Sequence, residues 1–150
     1  MLAEKQTAPN FTLNDSEGKA HTLSKYLGKK VVLYFYPRDD TPGCTIEACN
    51  FRDDKKSFEK KDVVILGVSA DTEESHKKFS KKYDLSFTLL SDPNKEVIKK
   101  YGAWGEKSMY GKKYEGILRI TYLIDEKGKI MKVFPKVSPK DHAEEILSLL

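Results

Sequence analysis

Two cysteines, Cys44 and Cys49, supply all the thiol chemistry open to the chain, and both lie in the stretch YPRDDTPGCTIEAC. Such a pair can be a disulfide staple, two metal ligands, buried fillers or a reactive couple. Pro37 closes an apolar run, after which the chain has to turn into a helix within a few residues. Thr41 suits the N-cap, Pro42 the first helical position and Gly43 a close approach of backbone. Cys44 is then the third helical residue, in a turn whose N–H groups lack intrahelical partners and carry the positive end of the helix dipole. Those surroundings favour the thiolate, which is the nucleophile. Asp39 and Asp40 oppose it unless they point to solvent, so a cation is needed nearby. Arg119 is the candidate, because it interrupts the otherwise apolar strand-like segment GILRITYLID. A charge there is either paired and functional or an edge-strand side chain snorkelling to water.

The spacing of the cysteines has a mechanical consequence. On an ideal helix, residues five apart have Cα atoms roughly 8–9 Å from each other, and a disulfide needs less than about 7 Å. If both occupy one intact helix, bridging them requires its first turns to unwind. Metal binding lacks ligands: His21, His76 and His142 stand in separate segments and there is no third cysteine. Four residues intervene between the cysteines, which argues against a plain Cys-x-x-Cys dithiol exchanger.

The elements that have to hold these residues read as α/β. NFTL and AHTL flank a turn-prone NDSEGK and make an N-terminal hairpin. KVVLYFYP, DVVILGVSAD and FTLLSD are strands, the first two continuous enough in apolar character to be covered on both faces. A helix runs from Thr45 to about Lys60 with Ile46, Cys49, Phe51 and Phe58 inward; TEESHKKFSKKYD is a second, with Phe79 and Tyr83 four apart. PNKEVIKKYG is a short helix ending before Gly102. LRITYLID and IMKVFP form a hairpin through EKGK, and SPKDHAEEILSLL closes the chain as a helix capped by Ser138 with Pro139 first. Strand–helix–strand crossovers imply parallel neighbours and the late hairpin an antiparallel pair, giving a central mixed sheet flanked by helices. Cys44 sits where a strand end meets a helix start, a usual place for reactive groups in such sheets.

A chain of 150 residues is one ordinary domain, 1–150, able to bury about 68–70% of its unfolded surface without a staple. Its three arginines and 24 lysines alternate with acids in runs such as DDKKSFEKKD, the pattern of solvated helix faces and not of a nucleic-acid footprint. No segment has the apolar length of a signal peptide or a membrane span, so a cytoplasmic protein is expected. In that reducing compartment a permanent staple is disfavoured.

The stretch YPRDDTPGCTIEACNFRD resembles the active-site segment of peroxiredoxins, specifically the peroxiredoxin Q or bacterioferritin comigratory protein group. Pro37, Thr41 and Cys44 match the family motif, Cys49 falls where many members of the group carry a resolving cysteine, and Arg119 matches the active-site arginine. The resemblance continues through VVILGVSAD and LLSDPNKEVIKKYGAWGEKSMYGKKYEGILRITYLIDEKGKI. It implies a thioredoxin fold with an N-terminal hairpin extension and a thiol peroxidase without metal or other cofactor. Catalysis would rest on Cys44, Cys49, Thr41, Arg119 and Pro37, acting on hydrogen peroxide or an organic hydroperoxide. A Cys44–Cys49 disulfide would then be reduced by a thioredoxin-like partner. With the resolving cysteine in the same chain, a monomer is expected. Glu47 is similar to an acid common in the family, though the helix dipole accounts for it nearly as well. Trp104 is expected to pack in the core or beside the site. A redox-controlled binding module is the competing class, but it would not need Pro37, Thr41, Cys44 and Arg119 together.

Overall fold

The computed structural model describes residues 1–150. Strands β1 (Thr12–Asp15) and β2 (Ala20–Thr22) form the N-terminal hairpin, followed by a 3-10 turn at Leu23–Tyr26 and strand β3 (Lys30–Phe35). Next come helices α1 (Pro42–Asp53) and α2 (Lys55–Lys60), strand β4 (Val63–Ser69), helix α3 (Glu73–Tyr83), strand β5 (Thr88–Ser91) and helix α4 (Glu96–Lys100). A hairpin of β6 (Trp104–Met109) and β7 (Lys112–Ile117) precedes the final β8 (Ile120–Ile124), β9 (Ile130–Phe134) and α5 (His142–Leu147). Seven strands make one mixed sheet in the order β2-β1-β5-β4-β3-β8-β9, with β3, β4 and β5 parallel and the remaining pairs antiparallel.

The alternation of β3 assigns its side chains to two cores. Val31, Leu33 and Phe35 join Leu66, Val68, Ile98, Tyr101 and Tyr122 on one face. Val32, Tyr34 and Tyr36 join Cys44, Ala48, Phe51, Phe58, Phe79 and Ile146 on the other, under α1, α2, α3 and α5. Each of these large side chains contributes about 1.5–3 kcal/mol by leaving water. Gly67 lets the aromatic layer approach β4, since a Cβ there would lie 2.8 Å from Tyr34 Cζ and 2.9 Å from Leu89 Cδ2.

Four sequence expectations need correction. The helix expected from Thr45 to about Lys60 is two helices, α1 and α2, broken at Asp54, whose N–H returns to the carbonyls of Asn50 and Arg52. Its inward residues are Cys44, Glu47, Ala48, Phe51 and Phe58, while Ile46 is 47% exposed and Cys49 only half-buried. The last helix starts at His142 after Asp141, because residues 138–141 form a turn closed by the Asp141 N–H to Ser138 carbonyl bond. The β6–β7 hairpin has no counterpart in the expected order: its strands, WGEKSM and KKYEGI, show no regular alternation of apolar and polar residues and bury little, which hides the strand period.

Candidate active site

The site is assembled where β3 hands over to α1. Strand β3 ends at Phe35, Tyr36 is still buried, and Pro37 is half-buried at the strand exit. Thr41 has the extended backbone of an N-cap (φ −98°, ψ 155°) and its carbonyl accepts the Thr45 N–H, but its side chain makes no capping bond. The Thr41 hydroxyl instead donates to the Arg38 carbonyl at 2.9 Å, tightening the loop. Pro42 and Gly43 open the helix, and Cys44 is its third residue, 2% exposed.

Arg119 is not in a strand. It lies in the two-residue connection between β7 and β8, so its backbone is free of the ladder and its side chain can cross to α1. There Nη2 donates to Cys44 Sγ at 3.1 Å and Nη1 donates to Glu47 Oε1 at 2.7 Å. Gly43 makes room: a Cβ on it would stand 3.3 Å from Arg119 Nη2. One guanidinium thus bridges a thiol and a carboxylate one helical turn apart, a fork that an ammonium could not reproduce. Burial alone would weaken the arginine as a base, but the charges of Glu47 and Cys44 overcome it and raise its pKa. Glu47 is 1% exposed, and burial pushes its carboxyl up to about 7 against the opposing pull of Arg119. Its second oxygen, Oε2, has no hydrogen-bond partner.

Cys49 lies further along α1, half-buried, and both cysteines are free thiols. Because α1 is continuous from Pro42 to Asp53, the helix geometry holds the two Cα atoms roughly 8–9 Å apart. The far end of this segment is tied to the chain before α5: Asn50 Nδ2 donates to the carbonyls of Lys140 at 2.7 Å and Pro139 at 3.3 Å.

The two aspartates of the loop do not both turn to solvent. Asp40 is exposed and pairs with Lys82 Nζ at 2.7 Å and Tyr83 Oη at 2.8 Å. Asp39 is buried, engaged by groups of α3 and by Tyr36. Trp104 is half-buried on β6 and packs against the first core, donates to Glu115 at 3.3 Å, and lies under Lys95 and Lys99. Lys107, which the sequence did not single out, donates to the Ile117 carbonyl at 2.9 Å; burial lowers its pKa and the charge of Arg119 lowers it further. Its signal was lost with the unrecognised hairpin. No helix is long and apolar enough to cross a membrane.

The arrangement offers a buried sulfur at a helix start, a guanidinium aimed at it, and a second sulfur on the same helix beyond bonding reach. Over residues 5–133 the chain matches the model described as the AhpC/TSA family. It is 48% identical over 145 residues to the peroxiredoxin Bcp of Bacillus subtilis, an alignment covering 97% of this chain and 92% of the relative. A PrxQ variant from Xylella fastidiosa superposes with a TM-score of 0.93 at 35% identity, over 99% of this chain and 95% of that one. The bacterioferritin comigratory protein of Xanthomonas campestris, studied for alkyl peroxide reduction, gives 0.88 at 37% identity, over 93% and 88%. The thioredoxin fold expected from the sequence, with a central mixed sheet between helices, is therefore the fold of this chain.

Proposed function

The chain belongs to the AhpC/TSA family and, like its Bcp and PrxQ relatives, is a thiol peroxidase; from that premise we propose that Cys44 is the sulfur that peroxide oxidises and Cys49 the one that resolves it. The observation that carries this reading is the 3.1 Å contact from Arg119 Nη2 to Cys44 Sγ at the start of α1. The guanidinium favours negative charge on sulfur and offers donors to peroxide oxygens as their charge grows. In the first step the Cys44 thiolate forms an S–O bond with the terminal oxygen, the O–O bond breaks, and the departing hydroxide or alkoxide takes up a proton. Sulfur is oxidised to sulfenic acid and the peroxide is reduced to water or an alcohol. The Cys44 N–H and the hydroxyl of Thr41, once released from the Arg38 carbonyl, add donors at the same locus, and Pro37 shields it.

In the second step Cys49 attacks the Cys44 sulfenic acid, an S–S bond forms and water leaves, after the first turns of α1 have unwound. A thioredoxin-like dithiol then reduces the disulfide by exchange. The alkyl peroxide activity studied in the Xanthomonas campestris relative supports organic hydroperoxides as substrates beside hydrogen peroxide. A monomer acting in the cytoplasm fits a resolving thiol in the same chain. The test is peroxide consumption with thioredoxin and its reductase. Turnover by the wild type that disappears in Cys44→Ser is the expected result, and unchanged turnover in that variant would sink the assignment.

A further inference from the structure

The loop from Pro37 to Thr41 leads into the helix that holds Cys44, yet only one of its side chains is buried, and that one is charged. Asp39 is 8% exposed. Its Oδ1 accepts from Tyr36 Oη at 2.6 Å, and its Oδ2 accepts from Ser75 Oγ at 2.8 Å and meets His76 Nδ1 at 2.7 Å. Its own N–H donates to Asp71 Oδ2 at 2.8 Å. His76 is fully buried on the inner face of α3, and its Nε2 donates to the Leu90 carbonyl of β5 at 2.9 Å. Since Nε2 has to carry its proton there, the Nδ1 contact with the carboxylate is made by a second proton shared within the pair. The imidazole is thus fixed by the sheet on one side and grips the loop on the other. The ligand-bearing atoms of Asp39, Asp71 and His76 lie within 4.8 Å of one another, but the hydrogen bonds just described already occupy them, so the cluster is a hydrogen-bonded anchor.

We propose that His76 is a positioning residue for the peroxide step: through Asp39 it ties the Pro37–Thr41 loop to the central sheet independently of α1. The loop then keeps its place while the helix opens and closes around the disulfide. The proposal rests on Cys44 being the peroxide-reactive sulfur. Without the grip on the Asp39 carboxylate, the loop would keep only the Asp39 N–H bond to Asp71 and the exposed contacts of Asp40 with Lys82 and Tyr83 while the helix is open. Misplacing a positioning group by about 1 Å can slow a reaction by roughly 10²-fold, whereas alkylation of the same thiol by iodoacetamide makes no demand on the loop donors.

The experiment uses the full chain in a Cys49→Ser background, where Cys44 is the only thiol, and compares His76→Gln and the near-isosteric Asp39→Asn. Single-turnover oxidation by hydrogen peroxide is expected to slow by about 10-fold or more in each, with iodoacetamide alkylation within about twofold. Because the two residues act as one unit, the double variant should be no slower than the worse single. Peroxide rates unchanged in a natively folded Asp39→Asn protein would overturn the proposal, and so would oxidation and alkylation falling in the same proportion. Should His76→Gln fail to fold, Asp39→Asn, which keeps the shape of the buried group, decides the matter alone. If the parent protein does not react with peroxide at Cys44, it is the functional assignment that fails, and the role of His76 falls only with it.

Discussion

Arg119 donates to Cys44 Sγ with one nitrogen and to Glu47 Oε1 with the other, at 3.1 and 2.7 Å. The second bond aims the first: the carboxylate fixes the plane of the guanidinium so that its free edge faces the sulfur. Arg119→Lys keeps a positive charge but can satisfy only one of the two at a time. Peroxide oxidation of Cys44 is expected to slow by about 10²–10³-fold, read by stopped-flow single turnover. A loss under threefold would show that charge alone suffices.

Glu47 makes stability depend on pH. Burial raises its folded-state pKa from 4.5 to about 7, so the folded chain holds this proton more tightly than the unfolded one. The stabilisation tied to that proton is complete below the unfolded value and is lost as pH rises through about 7. The change is on the order of 3 kcal/mol between acid and alkaline limits. Urea unfolding of the reduced protein from pH 5 to 8 should show wild type losing stability relative to Glu47→Gln; parallel curves would contradict the assignment.

Oxidation should open α1 from its start and stop near Asn50. One equivalent of peroxide is expected to remove about one to two helical turns from the circular dichroism signal. Hydrogen exchange should show amides from Thr45 to Cys49 losing protection, while those after Asn50, held through Lys140 and Pro139, keep theirs. An oxidised protein with a Cys44–Cys49 bond and undiminished helix would refute the unwinding.

Tyr34 is buried in the aromatic layer, and its hydroxyl finds no partner. Tyr34→Phe removes an unsatisfied polar group while keeping the stack with Tyr36 and Phe51. The substitution is expected to stabilise the fold by about 1 kcal/mol or more. A lower urea midpoint for the variant would reveal a partner for that hydroxyl.

The parallel core strands and the amphipathic α3 were legible because continuous apolar runs and a helical stripe each have one structural solution. Cys44 as the third residue of a helix followed from Thr41, Pro42 and Gly43, since cap preferences are local. Arg119 was legible as an anomaly but placed in a strand, because a two-residue connection leaves no turn signature in GILRITYLID. The bond from Thr41 to the Arg38 carbonyl could not be foreseen, since a hydroxyl chooses among several acceptors only once the loop exists. Nor could the meeting of Asp39 with His76 be read from two segments 37 positions apart. His76 sits on the buried stripe with Phe79, and a histidine there asks for a partner without naming it.

The break at Asp54 would limit how far the proposed melting of α1 could travel. Helix α1 ends at Asp53 and α2 begins at Lys55, so the two share no continuous ladder. Phe51 and Phe58, both fully buried, flank that joint in the core. In the proposed cycle the reactive helix would work as a short stroke against a stationary body: oxidation would withdraw Cys44 and Ala48 from the core, and the interior seated on Phe51 and Phe58 would remain to return them to register.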